Sequence, residues 1–200
     1  MRAQFSSADA YVSPIEGIYS DDPDDKGGET CFGLTRKNNP DWVGWTTVEG
    51  YKKKYTGVDL INAIECDTAL RVSARRPMKE NYWDVMGLDE MTDQSLATEL
   101  YEQGYNFGPA VAATHCQRII NVSNRNGRDY PDIKVDGWMP AFKSDGTQGE
   151  THKALGVLLE RRGVPHVVKM LNVLQGARYV RIMEEDPTQE KYIGWFNRVD

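Results

Sequence analysis

Apolar residues recur at helical spacing along most of this chain, and this recurrence constrains its fold more than any other feature. Between residues 164 and 185, one side of a helix would carry Val167, Met170, Leu171, Leu174 and Val180. Similar patterns cover residues 5–15, 47–55, 68–75, 82–86, 93–101, 109–120 and 151–161. Alternating patterns typical of strands are scarce. The sequence therefore predicts a mainly α fold, with a small irregular or β element after the first helix.

Caps and helix breakers indicate where several helices begin or end. Asp93 is placed as the N-cap of the helix that follows it. Gly108-Pro109 is expected to open the next helix, because proline is favoured in a first helical turn. Pro14 predicts that the first helix ends or kinks close to Glu16, because proline lacks the donor that the helix interior needs.

Two regions are predicted to be loops. Residues 20–40 are rich in Asp, Gly, Pro and Asn, which favours turns or a short hairpin. Residues 124–150 are polar and Gly-rich, and Trp138 and Phe142 are expected to anchor that loop to the core.

Composition excludes several classes of protein. The chain has 200 residues, 40% of them hydrophobic and 27% charged, which is ordinary for a globular protein with a substantial core. Its net charge is -6 and it has no long Lys/Arg run, so we expect no nucleic-acid partner. The N-terminus lacks the apolar segment of a signal peptide, and no stretch approaches the ~18 apolar residues of a membrane span. We therefore expect synthesis in the cytoplasm and no integral membrane segment.

Cysteine and histidine spacing predicts no metal site. The odd set of cysteines has neither disulfide nor zinc spacing, so buried, inert thiols are expected at Cys31, Cys66 and Cys116. His152 and His166 show no ligand spacing with Asp or Glu. His115 lies on an apolar helical face and is expected to be a hydrogen-bonded core histidine.

The segment from Glu16 to Thr30 has the parts that glycoside hydrolysis needs. A carboxyl group at the end of an apolar helix is partly desolvated, which raises its pKa and suits a general acid. The Asp-rich loop that follows offers a second, ionised carboxylate, and glycines at Gly17 and Gly27-Gly28 allow the backbone to turn.

Two other interpretations of this segment remain open. The aspartates could simply hydrogen-bond their own loop, as Asx turns do. A calcium loop that starts at Asp22 would place Lys26 fifth and Gly33 twelfth, where a glutamate is required, which makes an EF-hand a poor fit.

The order of motifs resembles glycoside hydrolase family 108, a family of lysozyme-like N-acetylmuramidases that includes proteins named as secretion activators. The first motifs are Glu16-Gly17-x-Tyr19, Asp25-x-Gly27-Gly28-x-Thr30 and Phe32-Gly33-Leu34-Thr35. They are followed by Tyr82-Trp83, Tyr101-x-x-x-Tyr105-Asn106-x-Gly108 and Gln117. The C-terminal half resembles the peptidoglycan-binding domain usually fused to that family, through Asp136-Gly137, Thr151, Ala154-Leu155, Arg178-Tyr179 and Gly194-Trp195-x-x-Arg198.

The resemblance implies roles for particular residues. Glu16 would be the general acid, and Asp25, nine positions later, would be the ionised carboxylate, with Asp24 and Asp22 as rivals. Thr30 would orient the attacking water.

Substrate-binding residues follow from the same resemblance. Tyr82 is expected to stack on a sugar ring in the cleft, with Trp83 in the core. Asn106 would either bind an acetamido group or cap the next helix.

The resemblance also implies an architecture and partners. We expect a lysozyme-like helical fold, with a catalytic part at 1–100 and a peptidoglycan-binding part at 101–200 packed into the same globule. Peptidoglycan glycan strands would be the substrate, no cofactor is expected, and a holin-type pore would release the protein to the periplasm or exterior. The alternative is a non-catalytic wall-binding or secretion-helper protein on the same scaffold.

Overall fold

A computed structural model describes residues 1–13, 17–22 and 28–199 of the chain. Within these residues the α-helices are α1 Phe5–Val12, α2 Gly44–Lys52, α3 Gly57–Glu65, α4 Thr68–Met78, α5 Gln94–Phe107, α6 Pro109–Ser123, α7 Glu150–Arg162 and α8 Val164–Glu185. A π-helical turn, Lys79–Trp83, and 3-10 turns at Asp84–Met86 and Leu88–Glu90 connect α4 to α5, and a 3-10 segment, Pro187–Arg198, follows α8. The predicted mainly α, lysozyme-like fold is confirmed.

A small antiparallel sheet follows the first helix, as the sequence predicts. Among the described residues its strands are β1 Tyr19–Ser20, β2 Thr30–Cys31 and β3 Leu34–Thr35, in the order β1-β2-β3. The register pairs Ser20 with Thr30 and Thr30 with Thr35, which places the three hydroxyl side chains in one row.

The predicted helix starts are confirmed by their caps. The Asp93 carboxylate accepts a hydrogen bond from the Leu96 amide at 3.0 Å, which satisfies one free donor of α5. Gly108, with φ of 90°, lets the chain turn sharply between α5 and α6, and Pro109 occupies the first turn of α6. The first helix ends at Val12, just before the proline.

The core is built around α5, which contacts α1, α6 and α8. The rings of Phe5, Trp83 and Tyr101 meet edge to face, with centroids 5.5 to 5.9 Å apart. A single cluster of buried apolar side chains extends from Ala3 to Leu171. Residues of both halves of the chain therefore contribute to one core, in which α5 packs between the first helix and the C-terminal helices.

Two predictions about individual side chains are wrong. Trp138 and Phe142 do not anchor the loop between α6 and α7, because their side chains are 61% and 53% exposed. Tyr130 and Met139 are the buried anchors instead. Cys31 and Cys116 are buried as expected, but Cys66, at the C-terminal cap of α3, is exposed.

No helix in the described part of the chain has both the length and the apolar character that crossing a bilayer requires.

Candidate functional site

A cleft of about 540 Å³ lies between the small sheet and the C-terminal segment. The first 108 residues contribute positions of β2, β3, the π-helical turn and α5, among them Thr30, Thr35, Tyr82, Tyr105 and Asn106. The remaining wall comes from α8 and the 3-10 segment, with Tyr179, Ile182, Gln189, Tyr192, Trp195 and Arg198. Both halves of the chain therefore form the cleft.

The cleft brings together three of the residues to which the sequence assigned a catalytic or substrate-binding role, namely Thr30, Tyr82 and Asn106. Glu16 and Asp25, and the rival Asp24, lie outside the described residues.

Thr30 is held by the sheet and by its own loop. Its hydroxyl donates a hydrogen bond to the Gly28 carbonyl at 3.1 Å. Because this bond uses the only proton of the hydroxyl, its lone pairs are left to accept a hydrogen bond. A threonine in this state can orient a water molecule as an acceptor.

Tyr82 and Trp83 diverge at the end of the π-helical turn. Tyr82 lines the cleft and is 7% exposed, whereas Trp83 is fully buried and its indole donates to Asp89 at 2.6 Å. Burial raises the pKa of the Tyr82 phenol and outweighs a hydrogen bond with Asn39 that lowers it. Tyr82 is therefore a neutral phenol at the edge of the cleft.

Gly33 allows Tyr105 to reach the cleft. Gly33 has φ of 79°, and a Cβ built on it would lie 1.2 Å from the Tyr105 hydroxyl oxygen. The Tyr105 ring is also tilted against Tyr82, with centroids 6.0 Å apart. Only glycine fits at this turn, and the sequence signal for it is the Phe32-Gly33 step between two short strands.

Asn106 contacts the C-terminal segment and does not cap α6. Its Oδ1 accepts a hydrogen bond from Arg198, and the N-cap position of α6 belongs to Gly108. The Asn106 Nδ2 atom is buried and has no hydrogen-bond partner among the described residues. An unpaired buried donor in a cleft costs free energy unless a bound group satisfies it, and an acetamido carbonyl would do so.

Glu29, to which the sequence assigned no role, is a partly buried carboxylate directly before Thr30. It accepts hydrogen bonds from the Tyr19 hydroxyl at 2.8 Å, from Arg36, and from Lys52 at 3.1 Å. Burial alone would raise the pKa of Glu29, but these three donors outweigh burial and lower it. Glu29 is therefore ionised, and it ties the β2 loop to α2.

Asp22, one of the rivals for the second carboxylate, bonds to the other half of the chain. Its Oδ2 accepts from Lys191 at 3.3 Å. Lys191 and Arg198 thus connect the 3-10 segment to polar side chains within the first 108 residues.

Stacked aromatic rings hold the 3-10 segment against α8. The Tyr192 and Trp195 rings are nearly parallel, at 4°, with centroids 5.0 Å apart. Trp195 also lies against Tyr179 at 5.4 Å, and Tyr179 against Phe107 at 5.1 Å. Since the segment buries no residue completely, this stack and the two cations contribute to its attachment.

A smaller hollow of about 290 Å³ adjoins the cleft, and Tyr105 lines both. Ser13 and Gly17, the described residues on either side of Glu16, line this hollow. Asp9 lies at its wall and accepts hydrogen bonds from Arg75 at 2.9 Å and from Ser13 at 2.8 Å.

The described ranges contain no group of three or more His, Cys, Asp or Glu side chains that could hold a metal ion.

Comparison with known proteins gives two family matches. The model described as Glycosyl hydrolase 108 matches residues 10–108, and the model described as Predicted Peptidoglycan domain matches residues 111–200. Among solved structures, SagA from Brucella abortus is similar, with a TM-score of 0.57 and 21% sequence identity over 98% of this chain and 88% of that one. At that identity the likeness shows a shared fold. No curated protein matches the sequence.

Proposed function

The chain belongs to glycosyl hydrolase family 108, with a C-terminal predicted peptidoglycan domain, and from this premise we propose that it is a lysozyme-like N-acetylmuramidase. It would cleave the glycosidic bond between N-acetylmuramic acid and N-acetylglucosamine in peptidoglycan.

The cleft is the observation that carries this proposal. It combines the Thr30 hydroxyl on a strand, an aromatic wall that includes Tyr82, and the Asn106 Nδ2 atom, which is buried and has no partner among the described residues. Aromatic faces suit the apolar face of a pyranose, and the Asn106 Nδ2 donor suits the carbonyl of an N-acetyl group. The facing wall of the cleft belongs to residues 111–200, which match the model of a predicted peptidoglycan domain.

In the proposed mechanism Glu16 is the general acid. Its protonated carboxyl would give its proton to the glycosidic oxygen as the bond from that oxygen to the anomeric carbon breaks, and an oxocarbenium-like state forms. The described residues on either side of Glu16 line the hollow, and Tyr105 lines both this hollow and the cleft.

A second, ionised carboxylate would stabilise the positive charge or activate water. We propose Asp25 for this role, with Asp24 and Asp22 as rivals. Glu29 is a poor candidate because its oxygens already accept bonds from Tyr19, Arg36 and Lys52. We assign Glu29 the role of positioning the loop that carries Thr30.

The test of the acid is Glu16→Gln, assayed on purified sacculi by release of reducing ends and by mass spectrometry of the products. We expect a loss of at least about 10³-fold in rate, because the amide cannot donate the proton. Exposed Glu65→Gln, at the end of α3, is the matched control and should act like the native chain. Full activity of Glu16→Gln would refute the assignment, and products with another cut bond would refute the muramidase.

The role of Thr30 is tested by a pair of variants. Thr30→Val removes the hydroxyl at nearly constant volume, and we expect a fall in kcat of about 10²-fold because the water loses its orientation. Thr30→Ser keeps the hydroxyl and should recover most of the rate. Equal activity of both variants would show that the hydroxyl has no part in the reaction.

A second candidate function is a non-catalytic wall-binding or secretion-helper protein. The likeness to SagA of Brucella abortus is the observation that favours it, because the shared fold extends over nearly the whole chain. The protein would then sediment with sacculi but release no reducing ends.

A further inference from the structure

A second groove, of about 510 Å³, lies in the C-terminal half and shares no lining residue with the cleft. It is called here the Trp138 groove, and its floor and rim include Gln117, Asp136, Trp138, Phe142, Lys143 and Glu150. The sequence motif residues Gln117, Asp136-Gly137 and Thr151 meet at this groove, although none of them lines the cleft.

Gln117 of α6 builds the floor. Its Nε2 lies within hydrogen-bond distance of the Asp136 carboxylate at 3.0 Å, the Trp138 carbonyl at 3.0 Å and the Thr151 hydroxyl at 3.3 Å. Its Oε1 accepts from the backbone amides of Asp136 at 3.1 Å and Gly137 at 2.9 Å. One buried side chain thus fixes the turn that carries Trp138.

Glycines fix the same loop by close contact. A Cβ on Gly137, whose φ is 72°, would lie 2.8 Å from the Ala110 carbonyl oxygen. A Cβ on Gly149 would lie 2.0 Å from the Pro140 carbonyl oxygen. The loop between α6 and α7 is therefore held tightly against α6 although it has little regular secondary structure.

This fixed loop presents two large aromatic side chains to water. Trp138 and Phe142 are 61% and 53% exposed, and both line the groove. Exposed aromatics held on a preorganised loop do not stabilise the core, and they are typical of a binding surface.

The charged side chains of the groove indicate which kind of ligand it can bind. Its two lysines are each paired with one of its two carboxylates, Lys143 with Glu150 at 2.8 Å and Lys134 with Asp136 at 3.5 Å. The groove is therefore neutral, which disfavours a polyanion and suits an uncharged polymer.

We propose that the Trp138 groove binds uncharged N-acetylated sugar units of a glycan strand, outside the catalytic cleft. Trp138 and Phe142 would pack on pyranose faces. Gly137, between the groove residues Asp136 and Trp138, packs against Ala110, two residues after the cleft residue Gly108, so the groove and the cleft approach each other near the start of α6. One strand could then contact both. The identity of the glycan rests on the proposed function.

Binding is measured in a Glu16→Gln background, so that no hydrolysis intervenes. The first probe is the tetramer of N-acetylglucosamine, and its titration is monitored by NMR through the indole N–H signals of the tryptophans. The Trp138 signal is assigned as the one that disappears in Trp138→Phe. We expect the Trp138 signal to shift on titration. A Trp138 signal that stays fixed while other indole signals shift would overturn the proposal.

The second probe is purified, protein-free sacculi in a sedimentation assay. Trp138→Ala and Phe142→Ala should each weaken binding about five- to tenfold, as loss of a binding anchor does. Tyr55→Ala, an exposed aromatic after α2, is the matched control and should bind normally. All variants should melt as the parent does, because the replaced side chains are exposed. Equal binding of Trp138→Ala and Tyr55→Ala would overturn the proposal, and so would a Trp138 effect that needs added cell proteins.

The outcomes separate the two proposals. If the native chain releases no reducing ends while sacculus binding depends on Trp138, the muramidase proposal fails and the groove stands. If reducing ends are released and Trp138→Ala binds as the parent does, the groove proposal alone fails.

Discussion

The Tyr105 hydroxyl group occupies the space that a side chain on Gly33 would need, because a Cβ built on Gly33 would lie 1.2 Å from the Tyr105 hydroxyl oxygen. Tyr105 cannot move freely to relieve this contact, because its ring lies between Tyr82 and Tyr101, with centroids 6.0 and 6.2 Å away. The hairpin turn of the small sheet and the wall of the cleft are therefore mechanically coupled.

Gly33→Ala should destabilise the protein more than Gly28→Ala. Both glycines have positive φ, 79° and 72°, but among the described residues only Gly33 has a neighbour within 4 Å of an added Cβ. We expect about 1 kcal/mol lost in the free energy of unfolding for Gly28→Ala, from backbone strain alone. Gly33→Ala should lose a further ~1–3 kcal/mol from overpacking. Urea denaturation measures both, and equal losses would contradict the coupling to Tyr105.

Glu29→Gln should weaken the fold while leaving most of the catalysis. The amide loses the ionic bonds with Arg36 and Lys52, whose side chains are about a third exposed. The loss in unfolding free energy should therefore be about 1–2 kcal/mol, less than for a fully buried pair. Glu49→Gln, which removes a half-exposed partner of Arg36, should cost at most about 0.5 kcal/mol.

Activity distinguishes a positioning role for Glu29 from a catalytic one. Rates on sacculi should stay within about tenfold of the native chain for Glu29→Gln, with Glu16→Gln as the inactive reference. A loss as large as that of Glu16→Gln would show that Glu29 is the second carboxylate.

Trp195→Ala should release the C-terminal segment from the cleft. Trp195 is the middle ring of the stack, between Tyr192 and Tyr179, and the segment buries no residue completely. We expect faster tryptic cleavage at Lys191 and Arg198 and a rise in KM of about fivefold or more, with a smaller change in kcat. Ile193→Ala, on the same segment and 66% exposed, should change neither. If Trp195→Ala keeps the native KM, this wall of the cleft takes no part in substrate binding.

His115 should make stability depend on pH below about 6.5. Burial, helped by the charges of Arg178 and Arg118, lowers the pKa of His115 to about 4. The ring is neutral in the fold and its Nδ1 pairs with Gln103 at 2.8 Å. In the unfolded chain His115 binds a proton once the pH falls below its ordinary pKa, whereas in the folded protein it stays neutral until about pH 4. The unfolded state therefore binds more protons in this window, and the free energy of unfolding falls as the pH falls through it.

Urea denaturation between pH 7 and pH 4 measures this effect. His115 should contribute about 2–4 kcal/mol of the loss in the native chain. His115→Gln should have a shallower pH profile, whereas exposed His166→Gln should keep the native profile. Identical slopes for the native chain and His115→Gln would contradict the role of His115.

The strongest local patterns in the sequence predicted the fold well. The long apolar face of α8, the Asp93 cap and the Gly108-Pro109 junction all depend on interactions within a few residues, so spacing alone locates them. The helix α3 was missed because its apolar residues do not form one buried face. Leu60 and Ile64 are buried, whereas Val58 and Ile61 are exposed.

The candidate site was less accessible to sequence reasoning, because it joins residues far apart in the chain. Nothing near Asn106 indicates that Arg198 bonds to it, and nothing near Glu29 indicates that Arg36 and Lys52 converge on it. Trp138 was assigned to the core on hydrophobicity alone, yet its neighbour Met139 fills that position. Which of two adjacent apolar residues faces inward depends on the turn, and Gln117 sets that turn from a distant helix.

The hydrogen bonds of Gln117 hold the Trp138 turn in place, whereas other side chains form the exposed surface of that turn. The floor uses Gln117, its partners Asp136 and Thr151, and backbone groups, whereas Trp138 and Phe142 on the rim are exposed and contribute little to folding. Rim residues can therefore change without disturbing the scaffold, so a lineage could adapt to a different wall polymer through Trp138 and Phe142 while Gln117 stays the same. The groove is thus a natural starting point for redirecting the protein to another bacterial surface.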